Sequence, residues 1–268
     1  MFGKRADGQR ITAISNTRRF MPLISPRRNA SLVYYTTEIE VGPALAFLEE
    51  QNRNRPQQHR ITLFHLYLRS LSISLHDRSG VNRFVAGGRL WQRDGVFITY
   101  SAKQEILDGS PVLTIKRKFE RDEGLVQMVD SLRDELLARR RGKQSTSDKE
   151  VNVFVRLPPF LVRAGIGALR LTDYLGLLPA AMIESDPMFS SIFVANLGSV
   201  GLDAGYHHLW EYGTCSNFAV VGRVHDRHDG VAVMEVKYSY DERIEDGLYA
   251  AITMTGIKDR LEDPKQLL

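Results

Sequence analysis

One cysteine, Cys215, in 268 residues excludes an internal disulfide framework and suits a reducing compartment, so the cytoplasm is the expected location. No run of 18 uncharged apolar residues occurs, and a transmembrane helix is not expected. The first residues lack the apolar stretch of a signal peptide. No His, Cys, Asp and Glu spacing suggests a metal site. His225 and His228 flank Asp226 and Asp229, but that Gly-containing stretch reads as a hairpin loop. Gly87-Gly88 and Gly165-x-Gly167 are too sparse and too poorly placed to cradle phosphate. Neither a recognition helix nor a set of aromatic stacking residues is evident, so nucleic acid is not an expected partner.

What is present is ordinary in bulk and uneven in distribution. An apolar fraction of 43% and a charged fraction of 25% fit a globular domain with enough chain to bury a core. The net charge is only +4, yet residues 1–30 hold Lys4, Arg5, Arg10, Arg18, Arg19, Arg27 and Arg28 against Asp7. This basic N-terminal arm is expected to pack on a neighbouring subunit with its charges solvated. Residues 31–268 form the expected core, interrupted by an atypical apolar helical segment at 144–185. Within it, Arg163, Arg170 and Asp173 break up the apolar run over 151–183. Short apolar helices packing on the domain or on a partner are the default there, with a membrane-surface helix as the alternative.

Local patterns give a mixed order. Residues 32–41 are β-branched and aromatic and read as a strand. Pro43 opens a helix that runs to Asn52, and a second helix spans Thr62 to about Leu75 on three- and four-residue apolar steps. The runs Arg89-Leu90-Trp91 and Val96–Tyr100 flank Asp94-Gly95, a hairpin signal. A strand is expected over 112–119 and a helix over 124–141, whose terminal arginines suit the helix dipole. Gln144–Glu150 reads as an exposed loop. Strands return at 192–195, 218–222 and 231–240, followed by a last helix from about Gly247 to Leu261. Without repeated βαβ units, the class is α+β.

Three motifs narrow the reading. Residues 193–201 read Phe-Val-Ala-Asn-Leu-Gly-Ser-Val-Gly, residues 218–222 read Phe-Ala-Val-Val-Gly, and residues 240–247 read Tyr-Asp-Glu-Arg-Ile-Glu-Asp-Gly. Together with the helix, strand and hairpin over 60–104, they resemble the catalytic domain of the dihydrolipoyl acyltransferases of 2-oxo-acid dehydrogenase complexes. The resemblance runs with gaps over 15–140 and 186–262, and 144–185 departs from it. It implies a chloramphenicol acetyltransferase-like fold, a two-layer mixed sheet with helices that forms trimers with the active site between subunits. No lipoyl domain, peripheral subunit-binding domain or Ala/Pro-rich linker is visible in the sequence, so the chain reads as a core alone.

The same resemblance identifies a site whose chemistry is altered. Glu242 stands where the family has its general-base histidine in D-H-R-x-x-D-G. A carboxylate of ordinary pKa about 4.3 is a weak base toward a thiol near 8.5, and its charge opposes the developing thiolate, although burial can raise it. Ala195, before Asn196, stands where the family has a hydroxyl that bonds the oxyanion. Loss of one such donor costs about 100- to 1000-fold in rate. Ser199, further along, is not expected to replace it. Asp246 and Gly247 are kept, and the resemblance implies that Asp246 pairs with Arg18 or Arg19 to hold the turn. His207 and His208 are the candidate rescue bases, packed histidines being their plainer reading, and Cys215 lacks an evident activating neighbour.

The expectation is therefore a pseudo-acyltransferase core. It would self-assemble as trimers and as a larger cubic or dodecahedral shell, with a structural or regulatory role. No cofactor is expected, and coenzyme A remains possible. Acyltransferase or dehydrogenase complex components are possible partners. The alternatives are a coenzyme A-dependent acyltransferase using Glu242 or a histidine, and a binding module for a pantetheine ligand.

Overall fold

A six-stranded mixed sheet organises the chain, seen in a computed structural model that describes residues 4–103, 112–140 and 157–268. The expected loop at 144–150 and residues 151–156 of the apolar segment lie outside the described residues. The strands are β3 (Leu32–Glu40), β6 (Val96–Lys103), β7 (Val112–Phe119), β8 (Ile192–Asn196), β9 (Asn217–Asp226) and β10 (Ala232–Asp241). Their order is β3-β10-β9-β8-β6-β7, with β8 parallel to both its neighbours and the other pairs antiparallel. A four-stranded antiparallel sheet lies beside it, ordered β1 (Lys4–Arg5), β2 (Gly8–Arg10), β5 (Arg89–Arg93) and β4 (Arg83–Ala86).

Alternation along the strands sends side chains to two faces. One face, with Ile39, Ile98, Ile115, Val194 and Val236, packs under helices α2 (Gly42–Asn52), α3 (Leu63–Asp77), α4 (Leu125–Arg140) and α7 (Gly247–Glu262). Each fully buried aliphatic side chain there contributes about 1.5–3 kcal/mol. The other face, with Phe193, Phe218 and Val220, is covered by the loop that carries Ala204 and Leu209. The result is the two-layer α+β arrangement that the sequence pattern implies.

Helix α3 is buried on nearly every side, and its serines serve as small polar fillers: Ser70 Oγ donates to the Ile257 carbonyl at 2.9 Å. Its start is a capping box. Thr62 Oγ1 accepts from the His65 N–H (3.3 Å), and His65 Nδ1 accepts from the Thr62 N–H (3.1 Å).

The hairpin expected at Asp94-Gly95 is not formed. β5 and β6 belong to different sheets, and the chain changes sheet at Gly95, whose φ is +88°. The Asp94 N–H is taken by the carbonyl of Asp7, and Asn82 Nδ2 bonds the Gly95 carbonyl at 2.9 Å. The true hairpin joins β4 to β5 through Gly87 and Gly88, with φ of +58° and +68°, as a tight two-residue turn requires. The basic arm is likewise part of the fold: β1 and β2 complete the small sheet, and α1 (Asn16–Ile24) follows them. Helices α5 (Pro159–Leu175) and α6 (Ala180–Ser185) occupy the apolar segment, and α5 has no fully buried residue. Among the described residues, no helix is long and apolar enough to cross a membrane.

The capping box predicts a pH dependence. Burial pulls the His65 imidazole from 6.5 down to about 4, and protonation at Nδ1 would remove the acceptor of the Thr62 N–H. The unfolded chain therefore binds this proton more tightly, so stability is full above about pH 6.5 and falls as pH drops toward 4. Urea unfolding is expected to show about 1–2 kcal/mol lost between pH 7 and 5 from this group. In His65→Gln, which keeps an acceptor without titrating, that component should vanish.

Candidate functional site

The turn after β10 is built from charged residues that are nearly all committed to shape. Asp241, fully buried, takes a bidentate ion pair from Arg243 at 2.8 and 2.7 Å and also accepts the Arg243 N–H at 3.1 Å. Arg243 Nη1 then donates to the carbonyls of Ser25 (3.1 Å) and Pro26 (3.0 Å). Arg28 Nε approaches Asp241 Oδ2 at 3.8 Å, and its other nitrogens donate to the carbonyls of Trp210 and Gly213. Burial pulls the Arg28 guanidinium down from its ordinary range, and Asp241 opposes that shift.

Glu242 differs from its neighbours. Its backbone is held, by an N–H to Ser31 O bond of 3.0 Å and by Arg18 Nη1 on its carbonyl at 2.5 Å. Its half-buried carboxylate makes no hydrogen bond or ion pair among the described residues. It lies near Tyr240, whose phenol is pushed up by burial first and then by Tyr35 and Glu242. Tyr240 is thus a neutral donor, bonding the Glu245 carbonyl at 3.2 Å.

The expected pair between Asp246 and an N-terminal arginine is not formed within the chain. Asp246 caps α7 instead, its Oδ1 accepting the Tyr249 N–H at 2.9 Å. Arg18 reaches Glu245 at 3.9 Å, Arg83 also pairs with Glu245, and Arg19 bonds the carbonyl of Thr12. Glu245 thus takes Arg18, one of the two arginines that the resemblance assigned to Asp246. Gly247 packs closely: a Cβ there would stand 2.8 Å from the Tyr35 hydroxyl, the movable end of a side chain.

Ala195 and Asn196 end β8. Asn196 Oδ1 accepts the Ser199 N–H (3.1 Å) while Ser199 Oγ donates to the Asn196 carbonyl (2.8 Å), so the hydroxyl nearest Ala195 in sequence is already committed. Gly198 also has a packing role, since a Cβ there would meet the Gly222 carbonyl at 2.4 Å. Ala195 pairs with Val220, Val220 pairs with Lys237, and Glu242 lies five residues beyond Lys237. Two strand spacings and five residue rises place the two positions about 19 Å apart in one chain. No single thioester could touch both.

His207 is a packed ring. It stacks on Phe218 (4.1 Å, 11°) and on His208 (4.5 Å, 22°), and its Nδ1 is 2.7 Å from the His208 carbonyl. His208 is exposed and edges Trp210. Neither histidine bonds Glu242. Cys215 is 1% exposed, with Sγ donating to the Asn217 carbonyl at 3.2 Å. Arg28, Arg93 and Lys116, cations the sequence did not place near it, are close enough to interact electrostatically with Cys215. Among the described residues, no cluster of His, Cys, Asp and Glu could hold a metal ion.

No family model matches this chain, and no curated protein does. Solved structures do. The cubic core of the pyruvate dehydrogenase multienzyme complex superposes with a TM-score of 0.62 at 14% identity, over 97% of this chain and 94% of that one. The dihydrolipoamide acetyltransferase of Azotobacter vinelandii gives the same values. Chloramphenicol acetyltransferase gives 0.56 at 14% identity, over 95% and 99%. The chain therefore has the fold of the acyltransferase cores of 2-oxo-acid dehydrogenase complexes and of chloramphenicol acetyltransferase.

The contacts in the turn separate two substitutions. Asp241→Ala leaves Arg243 buried without its anion and is expected to lower unfolding stability in urea by about 3–5 kcal/mol. Glu242→Gln breaks no side-chain hydrogen bond or ion pair among the described residues, and its stability should stay within about 0.5 kcal/mol of the parent.

Proposed function

We propose that this chain is a non-catalytic acyltransferase-fold protein. In this reading it assembles as a homotrimer, and the trimers associate into a hollow cubic or dodecahedral shell with a structural or regulatory role. The observation that carries the reading is the split within the 241–247 turn. Asp241, Arg243 and Asp246 are engaged in holding shape, whereas the Glu242 carboxylate has no hydrogen-bond or ion-pair partner among the described residues. A general base needs a partner or an environment that fixes its position and its pKa. The Azotobacter vinelandii enzyme is described by the roles of a serine, a histidine and an asparagine four residues beyond it in its catalytic mechanism. By resemblance those positions here are Ala195, Glu242 and Asp246, and neither of the first two supplies the matching group.

Assembly is supported by geometry. A separation of about 19 Å between Ala195 and Glu242 in one chain, from strand spacings, supports a site of this kind completed between chains. Exposed apolar side chains are available for such contacts: Leu248 is 73% exposed and Ile252 48%, both on α7 at the turn. The cubic core with which the chain superposes is built on the same fold. The cytoplasm is the proposed location, and components of an acyltransferase or dehydrogenase complex are possible partners.

A second reading, a coenzyme A-dependent acyltransferase, is favoured by one observation. The Glu242 carboxylate is half-buried and free of partners, and so is available to a thiol. Native mass measurement and an acyl-transfer assay from acetyl-coenzyme A to dihydrolipoamide test both readings. The expected outcome is a trimer or a multiple of it, with no turnover in the parent and measurable turnover in Glu242→His with Ala195→Ser. A strict monomer would sink the assembly reading, and parent turnover abolished by Glu242→Gln would establish the second.

A further inference from the structure

A cavity of about 800 Å³ opens between α1, the Gly87-Gly88 turn, α5 and the loop around Gly213. Its size suits a small-molecule ligand. One wall comes from α5, in the segment that departs from the family resemblance. The cavity contains four arginines and two acids, and their commitments differ. Asp173 is held by Arg5 at 2.7 Å. Glu211 accepts the N–H groups of Arg28 and Asn29 at 3.1 and 3.0 Å. Arg243 is bound to Asp241, as described above. Arg28 is 4% exposed, and its Nε has no hydrogen bond.

Arg27 and Arg170 remain. Both are exposed, they come from segments far apart in sequence, and neither guanidinium group has a hydrogen bond or ion pair among the described residues. With every acid of the cavity engaged, two uncommitted guanidinium groups face a space whose other walls include Pro22, Leu23, Val85 and Ala86. Guanidinium forks match the oxygens of a phosphate bidentately, and low-dielectric walls strengthen the attraction.

We infer that this cavity binds a phosphate- or diphosphate-bearing ligand through Arg27 and Arg170, with Arg28 at its base. The apolar wall accepts a non-polar portion of the same molecule, and the exposed Leu23 and Tyr174 continue that surface outward. The group can come from a soluble phosphate compound or from a lipid headgroup. The site does not depend on whether Glu242 is a base.

Calorimetric titration of the full chain with inorganic pyrophosphate tests the inference. Saturable binding is expected, weakened at least about tenfold in Arg27→Gln and in Arg170→Gln, where a charge-assisted bidentate contact is lost. Arg163→Gln removes the same charge from α5 outside the cavity and should change affinity less than about twofold. Thermal melting of each variant beside the parent verifies that these exposed substitutions leave the fold intact. Co-sedimentation with phosphatidylcholine vesicles containing phosphatidic acid separates the sources. Retention that pyrophosphate competes away assigns a lipid headgroup, and pyrophosphate binding without retention assigns a soluble phosphate compound. Binding to neither probe, or equal weakening in Arg163→Gln, overturns the inference.

Discussion

The ion pair between Asp241 and Arg243 fixes where the N-terminal third of the chain meets the end of the large sheet. Both side chains are essentially out of water, at 0% and 3% exposure. Burying such a pair costs several kcal/mol per ion in desolvation, which is offset only when geometry is good and every remaining donor is used. Here the geometry is bidentate, and the spare Arg243 donors bind the carbonyls of Ser25 and Pro26. Arg28, three residues after Ser25, approaches the same carboxylate at 3.8 Å. One carboxylate therefore ties together β10, the segment between α1 and β3, and the loop at 210–213 that Arg28 also binds.

A second buried set does similar work for the small sheet. Arg5 bonds Asp7 and Asp173, and Arg93 bonds Thr214 while lying near Asp7. The two guanidinium groups sit over Phe84, whose ring faces Trp91. Helix α5 has no fully buried residue of its own and is anchored through this network by Asp173. The anchor explains how an apolar helix can lie on the surface in one place without a deep core contact.

Legibility in the sequence followed range. The strands at 32–40, 112–119 and 232–241 and the helices at 63–77, 125–140 and 247–262 came from local periodicity, and local periodicity formed them. The Asp94-Gly95 turn misled because its partner lay out of view. β2 pairs with β5, and Asp7 takes the Asp94 N–H, so residues almost ninety positions earlier decide what happens there. The motif around 241–247 was legible as a shape, whereas the cations that hold it were not. Arg28 is one of seven basic residues in the first thirty, and nothing local distinguishes it from Arg27, which stays exposed. The arginine expected on Asp246 went to Glu245, an exchange between neighbours that spacing alone cannot resolve.

Shape and chemistry are separable in this turn because different atoms carry them. Gly198 and Gly222 are needed where two backbones touch, and a larger residue at either collides with main-chain atoms. Asp241 and Arg243 answer to each other. Glu242 and Ala195 carry none of these polar ties: among the described residues the Glu242 carboxylate has no hydrogen-bonding partner, and Ala195, which packs beside Phe193 and Phe218, has no polar side-chain atom. Substitution at those two positions breaks no buried ion pair or side-chain hydrogen bond among the described residues, so the polar framework of the fold does not dictate what stands there. A histidine and a hydroxyl would be held at those positions only by a reaction that uses them.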